Sequence, residues 1–263
     1  MDYPYWKQQT AKSPLYPDIE WSKPEQRSLR GRLGIIGGNK LGFAGAAESY
    51  ATALNTGAGY VRVLLPDALK KSIPASMTDV VFGASNPSGG LSQEAFGEMR
   101  ALAEWSSALL MVGDAGRNSE TAITYEKLVA DYTGTLVVTR DAVDLLKNST
   151  GVLVERENTI LVVSFAQLQK IFQSMYYPKI LTFSMQLLQL VEAVHKFTTT
   201  YPCTIVVFHK DTLIIAKDGT VTTTKWENPM AIWRGTTAAV IATYTLWNPA
   251  NPLESATAGV LRA

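Results

Sequence analysis

From Arg32 onward, short runs of apolar residues alternate with longer segments in which apolar residues recur at helical spacing. The runs predict strands at residues 33–36, 61–65, 80–82, 109–112, 136–139 and 159–163. The segments between them predict helices at residues 44–55, 93–104, 121–130 and 166–172, and a helical turn at 142–147. Strands that alternate with helices are typical of a mainly parallel sheet covered by helices on both faces.

The last third of the chain departs from this alternation. Residues 185–197 form the clearest predicted helix, with an apolar face that repeats every three or four positions: Leu187, Leu190, Val191, Val194 and Phe197. Gly235 opens another predicted helix at 236–247, which ends at Asn248-Pro249. Between these helices we expect three closely spaced strands, at residues 204–208, 213–216 and 221–224. The turn at Asp218-Gly219 predicts an antiparallel hairpin at the edge of the sheet.

Residues 1–31 follow a different pattern, since they are polar and rich in proline and aromatic residues. They predict an extended N-terminal arm, and residues 32–263 are predicted to form one α/β domain. We expect the aromatic side chains of the arm to pack on the body or on a neighbouring subunit: Tyr3, Tyr5, Trp6, Tyr16 and Trp21.

Composition and charge exclude several classes of protein. The formal net charge of +1 offers no electrostatic footprint for nucleic acid. No apolar stretch is long enough to span a membrane, and no apolar segment with basic flanks marks a secretory signal, so we expect a cytoplasmic protein. The single cysteine, Cys203, precedes an apolar run and is expected to be a small core residue.

The candidate chemistry lies in turns that follow strands, because ligands of such sheets bind beyond the carboxyl ends of the strands. The first turn contains Gly37, Gly38, Asn39, Lys40 and Gly45 and opens a helix, so its backbone N–H groups are candidates for binding phosphate. The alternative is close packing of the helix on the strand. The sequence does not decide between phosphate binding and close packing.

Two further turns also allow either a ligand-binding or a purely structural interpretation. Gly113-Asp114-Ala115-Gly116-Arg117 is either a substrate-side turn or a plain loop with a helix cap at Asn118 or Ser119. Arg234, Gly235, Thr236 and Thr237 combine amides, hydroxyls and a guanidinium, which suits an anion, or they form an ordinary helix start.

Other polar residues give weaker signals. Asp141 and Asp144 follow a predicted strand and are either catalytic or helix caps. His195 and His209 form no metal pair with a nearby cluster, and we expect no metal site.

Read together, these segments resemble the ADP/ATP-dependent NAD(P)H-hydrate dehydratases, a ribokinase-like family, over roughly residues 32–250. Residues 33–38, Gly45-Ala46 and residues 56–61 are similar to the family's opening glycine-rich motifs. Asn228-Pro229-Met230-Ala231 is similar to the family's GNPGMA motif. The resemblance implies a three-layer sandwich with a mainly parallel sheet, a homo-oligomer, ADP or ATP with Mg²⁺ as the cofactor, and NAD(P)H hydrate as the substrate.

The chain departs from the family pattern at the catalytic turn. The family carries an aspartate after a glycine turn, where it takes a proton from a substrate hydroxyl. Here that position is Thr237 or Ala238, depending on the alignment, and neither side chain is a base near neutral pH. Removing a positioned base typically costs about 10²- to 10⁴-fold in rate.

Other family motifs are also altered. The family's histidine- and carboxylate-bearing turn is here Val162–Gln167, its DAD motif is Thr139-Arg140-Asp141, and its lysine is replaced by His209. The family's GPGLG turn has become Gly113-Asp114-Ala115-Gly116. These losses at separated parts of one site favour loss of the ancestral reaction.

Three hypotheses follow. The chain is a dehydratase-like protein that lost catalysis and keeps a nucleotide or phosphate site, with Lys40 and Arg234 as charge partners. Alternatively, it is an active dehydratase whose base is Asp141 or Asp114. The third hypothesis is a structural or oligomeric role, carried by the arm and by exposed Trp226, Trp233 and Trp247. On the substrate side the candidates are Gly113, Asp114, Asp141, Ser164 and Asn228.

Overall fold

The structure is a computed structural model that describes residues 3–263. Within this range the strands form one sheet in the order β1-β10-β9-β8-β7-β6-β5-β2-β3-β4. The strands are β1 (Trp6–Gln9), β2 (Arg32–Gly37), β3 (Tyr60–Pro66), β4 (Val80–Gly83), β5 (Ala108–Gly113), β6 (Thr135–Thr139), β7 (Thr159–Ser164), β8 (Thr204–His209), β9 (Thr212–Lys217) and β10 (Thr220–Lys225). All neighbouring strands are parallel except β8–β9 and β9–β10, which are antiparallel.

Helices cover both faces of the sheet. They are α1 (Ala44–Thr56), α2 (Phe96–Trp105), α3 (Ser119–Asp131), α4 (Asp141–Leu145), α5 (Thr150–Glu155), α6 (Phe165–Ser174), α7 (Leu187–Thr200), α8 (Pro229–Arg234), α9 (Thr236–Trp247) and α10 (Pro252–Gly259). One hydrophobic core lies between the sheet and α2 to α7, and the other lies between the sheet and α1, α8, α9 and α10. The predicted three-layer architecture with its antiparallel hairpin is therefore confirmed.

The central elements are apolar on every side because they are covered on every side. All residues of β5 are buried, which explains its continuous apolar run. Helix α9 is buried from Thr237 to Thr245, between the sheet, α1 and α10. Two of its buried threonine hydroxyls are satisfied within the helix, since Thr243 Oγ1 donates to the Ala239 carbonyl and Thr245 Oγ1 to the Ile241 carbonyl, both at 2.8 Å. The last helix of the sequence prediction is thus a core element.

The N-terminal arm contributes a strand to the sheet, which the sequence analysis missed. β1 pairs in parallel with β10 and lies outside the hairpin, so the hairpin is one strand in from the edge. The expected packing of aromatic residues on the body holds for Tyr5, which stacks on His195 with ring centroids 3.7 Å apart. It also holds for Trp6, whose Nε1 donates to Thr223 Oγ1 at 2.9 Å. Trp21 does not follow it and is 87% exposed.

Other differences from the sequence prediction concern short elements. The sequence analysis missed α5, α8 and α10, and α2 begins after a 3₁₀ turn at Gln93–Ala95. Trp226, expected to be exposed, is buried, and its indole N–H donates to the Asn228 carbonyl at 2.7 Å. Cys203 is buried as expected. No helix in residues 3–263 is long and apolar enough to cross a membrane.

Gln9 fastens β1 to the body. Its amide nitrogen donates to Thr224 Oγ1 at 2.9 Å and to the Thr257 carbonyl at 2.6 Å, and the residue is buried. Gln9→Ala should lower the free energy of unfolding by about 1–3 kcal/mol, because it leaves a buried carbonyl without its donor. Urea denaturation measures the change. Gln8→Ala is the matched control, since Gln8 is exposed on the same strand and should change stability by less than about 0.5 kcal/mol. Equal effects of the two substitutions would contradict the anchoring role of Gln9.

Candidate functional site

The candidate site lies where β2, β5, β6 and β7 end and where α1 and α9 begin. The turns after β2 and β5 touch through their glycines. Gly38 N–H donates to the Gly113 carbonyl at 2.8 Å, and a Cβ at Gly37 would lie 2.5 Å from that oxygen. Gly38 and Gly113 both have positive φ, at 86° and 92°. Close packing therefore accounts for Gly37.

The loop before α1 is tied to a neighbouring loop. Asn39 is buried, and its amide donates to the Ser88 carbonyl at 3.1 Å. Lys40 is exposed, and its ammonium donates to the Pro87 carbonyl at 3.2 Å. Both of these predicted phosphate-binding residues thus hold the loop at residues 86–90 in this structure.

Gly45, the second residue of α1, already has an anionic partner. Its N–H donates to Asp114 Oδ2 at 2.6 Å. Asp114 has a positive φ of 54°, and the Asp141 carboxylate holds its turn by accepting the Asp114 N–H at 2.7 Å and the Ala115 N–H at 3.2 Å. The predicted substrate-side residues Asp114 and Asp141 are therefore in contact, and Asp114 also contacts the predicted phosphate-binding residue Gly45.

Arg140 joins this cluster, although the sequence analysis did not assign it to the site. It follows β6 with a positive φ of 57°, and its guanidinium pairs with Asp114 and donates to the Trp233 carbonyl at 2.6 Å. Cβ atoms built on Gly45 and Gly235 would lie 3.0 Å and 3.4 Å from its side chain, so Arg140 lies between the two glycine turns. The only sequence signal was an arginine at the middle position of the altered DAD motif.

The turn that carries the family's aspartate has no ionisable side chain here. Gly235 ends α8 and begins α9 with a φ of 90°. Thr236 Oγ1 donates to the Ala231 carbonyl at 3.0 Å. Thr237 and Ala238 are both 0% exposed, and within residues 3–263 the Thr237 hydroxyl has no hydrogen-bond partner. Arg234 is exposed at the end of α8.

A groove runs along the carboxyl edge of the sheet from this cluster. Two adjoining cavities of about 270 Å³ and 250 Å³ share Ser164, Ile232 and Trp233. One end is lined by Arg140, Asp141 and Asp144, and the other end by Phe183, Phe208 and Lys210. Ser164 caps α6 by accepting the Gln167 N–H at 3.2 Å. Asn228 lies just before α8 and accepts the Trp226 indole N–H through its backbone carbonyl.

The carboxylates of the site are engaged by donors from the chain. Asp144 accepts from Lys170 at 2.6 Å and from Gln167 at 2.8 Å. Burial raises the pKa of Asp141, with a smaller contribution from the nearby Asp114 charge. Nowhere in residues 3–263 do three His, Cys, Asp or Glu side chains form a group that could hold a metal ion. The Asp114, Asp141 and Asp144 carboxylates instead accept hydrogen bonds or ion pairs from groups of the chain itself.

The two threonines that begin α9 provide a matched test of this site. Thr237→Val should raise the free energy of unfolding by about 1 kcal/mol, because it removes a buried hydroxyl that lacks a partner in the described structure. Thr236→Val should lower it by about 0.5–1.5 kcal/mol, because it removes a hydrogen bond. Thermal and urea denaturation measure both. Destabilisation by Thr237→Val would show that its hydroxyl is satisfied.

Comparison with known proteins identifies the relatives of this chain. The family model described as NAD(P)H-hydrate dehydratase matches residues 33–240. No curated protein matches.

Solved structures share the fold at low identity. A ribokinase-like superfamily protein from Enterococcus faecalis V583 is similar with a TM-score of 0.72 and 15% identity, over 99% of this chain and 87% of that one. The ADP/ATP-dependent NAD(P)H-hydrate dehydratase from Bacillus subtilis, co-crystallized with ATP/Mg²⁺, is similar with a TM-score of 0.58 and 10% identity, over 94% and 86%. Pyridoxal kinase from Staphylococcus aureus, in complex with AMP-PCP and pyridoxal, gives 0.55 and 13%, over 87% and 84%. Since the family match spans most of the chain and the fold agrees, the chain belongs to the NAD(P)H-hydrate dehydratase family.

Proposed function

We propose that this chain binds an adenine nucleotide at the carboxyl edge of its sheet and does not dehydrate NAD(P)H hydrates. The observation that carries the proposal is the turn at Gly235–Ala238, which presents no proton acceptor. Thr237 and Ala238, the two candidates for the family's aspartate position, are fully buried. A base must lie within hydrogen-bonding reach of the proton that it removes. Neither residue supplies one, so binding without turnover is expected.

The groove supports nucleotide binding through its two unlike ends. Trp233 is 55% exposed and, with Phe183 and Phe208, offers flat apolar surface for a base. At the other end, Arg140 lines the cavity with a guanidinium, which suits phosphate oxygens. The Bacillus subtilis dehydratase, which shares the fold, was co-crystallized with ATP/Mg²⁺. Any Mg²⁺ would arrive on the nucleotide's phosphates, because the carboxylates here are already engaged.

A second candidate function, an active dehydratase, rests on Asp141. Its raised pKa brings a buried carboxyl closer to the range in which a general base works. Against this, both of its oxygens accept backbone N–H groups of the Asp114 turn. If wild-type protein converts the hydrate and Asp141→Asn abolishes conversion while still binding ATP, this function replaces the first.

The proposal is tested by calorimetric titration with ATP, ADP and NADPH, alongside an absorbance assay for conversion of NADH hydrate to NADH. We expect ATP or ADP to bind and conversion to be absent. Trp233→Ala should weaken nucleotide binding by at least about fivefold, because stacking of a base on an aromatic ring contributes about 1–3 kcal/mol.

The matched control is Trp21→Ala, since Trp21 is 87% exposed in the arm and lines neither cavity of the groove. It should leave nucleotide affinity unchanged. Hydrate conversion by the wild-type protein, or an absence of binding by both nucleotides, would overturn the proposal.

A further inference from the structure

The Asp114 carboxylate lies where an external anion would bind. The first N–H groups of a helix have no partner within the helix, and the positive end of the helix dipole favours an anion there. In α1, a helix of 13 residues, the Gly45 N–H is donated to Asp114 Oδ2 at 2.6 Å. The carboxylate comes from a turn 69 residues away in sequence. A carboxylate of the chain itself thus occupies the anion position at the start of this helix.

The turn that carries Asp114 is held so that the side chain reaches α1. Asp141, the first residue of α4, accepts the N–H groups of Asp114 and Ala115 at 2.7 Å and 3.2 Å. Gly113 allows the close approach, since a Cβ there would lie 2.0 Å from Asp141 Oδ1. Asp114 itself adopts a φ of 54°, which is uncommon for a residue other than glycine. The position of the carboxylate is therefore set by backbone contacts and does not result from a freely rotating side chain.

Not all N–H groups of the Arg140 guanidinium have a hydrogen-bond acceptor among the described residues. A guanidinium has five N–H groups in a fixed fork. Here Nη2 pairs with Asp114 and Nη1 donates to the Trp233 carbonyl, while Nε is buried and has no partner among the described residues. Asp114 also cancels the positive charge of Arg140, which lies beside both glycine turns. Without the Asp114 charge, Arg140 and the Gly45 N–H would form a site suited to a phosphate group.

We infer that Asp114 is an intramolecular competitor of phosphate, an autoinhibitory contact between the turn after β5 and the start of α1. A phosphate-bearing ligand must displace the carboxylate from Gly45 and Arg140 before it binds there. Its apparent affinity equals its intrinsic affinity multiplied by the fraction of molecules in which the carboxylate has left. If that fraction is about one tenth or less, removing the charge of Asp114 tightens binding by about 10-fold or more. The inference concerns regulation of the nucleotide site and rests on the proposed function.

The experiment compares wild-type protein with Asp114→Asn and Asp114→Ala. Asparagine keeps the size of the side chain and an oxygen for Gly45 but loses the charge that pairs with Arg140. Calorimetry with inorganic pyrophosphate, ATP and adenosine separates phosphate binding from base binding. We expect both variants to bind pyrophosphate and ATP about 10-fold more tightly and to bind adenosine unchanged. Glu104→Gln is the control for net charge, because Glu104 is an exposed partner of Arg100 on α2 and should leave all three affinities unchanged.

Three other outcomes would contradict the inference. If ATP binds equally to wild type and both variants, the competitor is rejected and the proposed function stands. If adenosine also binds more tightly to the variants, the cleft has opened generally and the inference is wrong. If none of the proteins binds ATP or pyrophosphate, both proposals fail.

Wild-type crystals soaked in pyrophosphate test the same contact should the variants not fold. The anion is expected on Gly45 and Arg140 with the Asp114 side chain displaced. Asp114 still bonded to Gly45 beside a bound anion would overturn the inference.

Discussion

The close approach of two strand ends determines the geometry of this protein's candidate site. β2 and β5 are parallel neighbours whose turns meet at Gly37 and Gly113, with no room for a side chain at Gly37. Because the turns meet there, Asp114 reaches the start of α1 and Asp141 reaches the backbone of the Asp114 turn. Arg140, at the end of the next strand, then fills the space between α1 and α9. A larger residue at Gly37 would push these groups apart.

The polar groups of the site largely satisfy one another. Buried charges are retained in proteins when they are paired and hydrogen-bonded. Asp114 has Arg140 and Gly45, Asp141 has two backbone amides, and Asp144 has Lys170 and Gln167. Catalysis of the family's kind requires the opposite arrangement, in which a base is left free to meet the substrate. The carboxylates of this site are therefore paired within the chain, at the edge of the sheet where ligands of such folds bind.

The sequence predicted most strands and α7 well, because the buried strands are continuous apolar runs and α7 carries a helical repeat of apolar residues. It missed β1, α5, α8 and α10, which have only 4, 6, 6 and 8 residues and so carry too little pattern to predict. It identified Gly45, Asp114 and Asp141 as candidates but did not bring them together, nor did it single out Arg140. The Asp114–Arg140 pair joins residues 26 positions apart through two residues with positive φ. Side-chain direction at such positions depends on the tertiary structure, and no local pattern encodes it.

The pairing of β1 with β10 also bears on how the chain is made. Gln9 and Thr224 are bonded although 215 residues separate them. Contacts so distant in sequence form late, because a long loop must close before they gain anything. During synthesis the arm therefore remains unpaired until every other strand of the sheet has left the ribosome. Until it docks, β10 presents an open edge, the kind of surface along which nascent chains associate with one another.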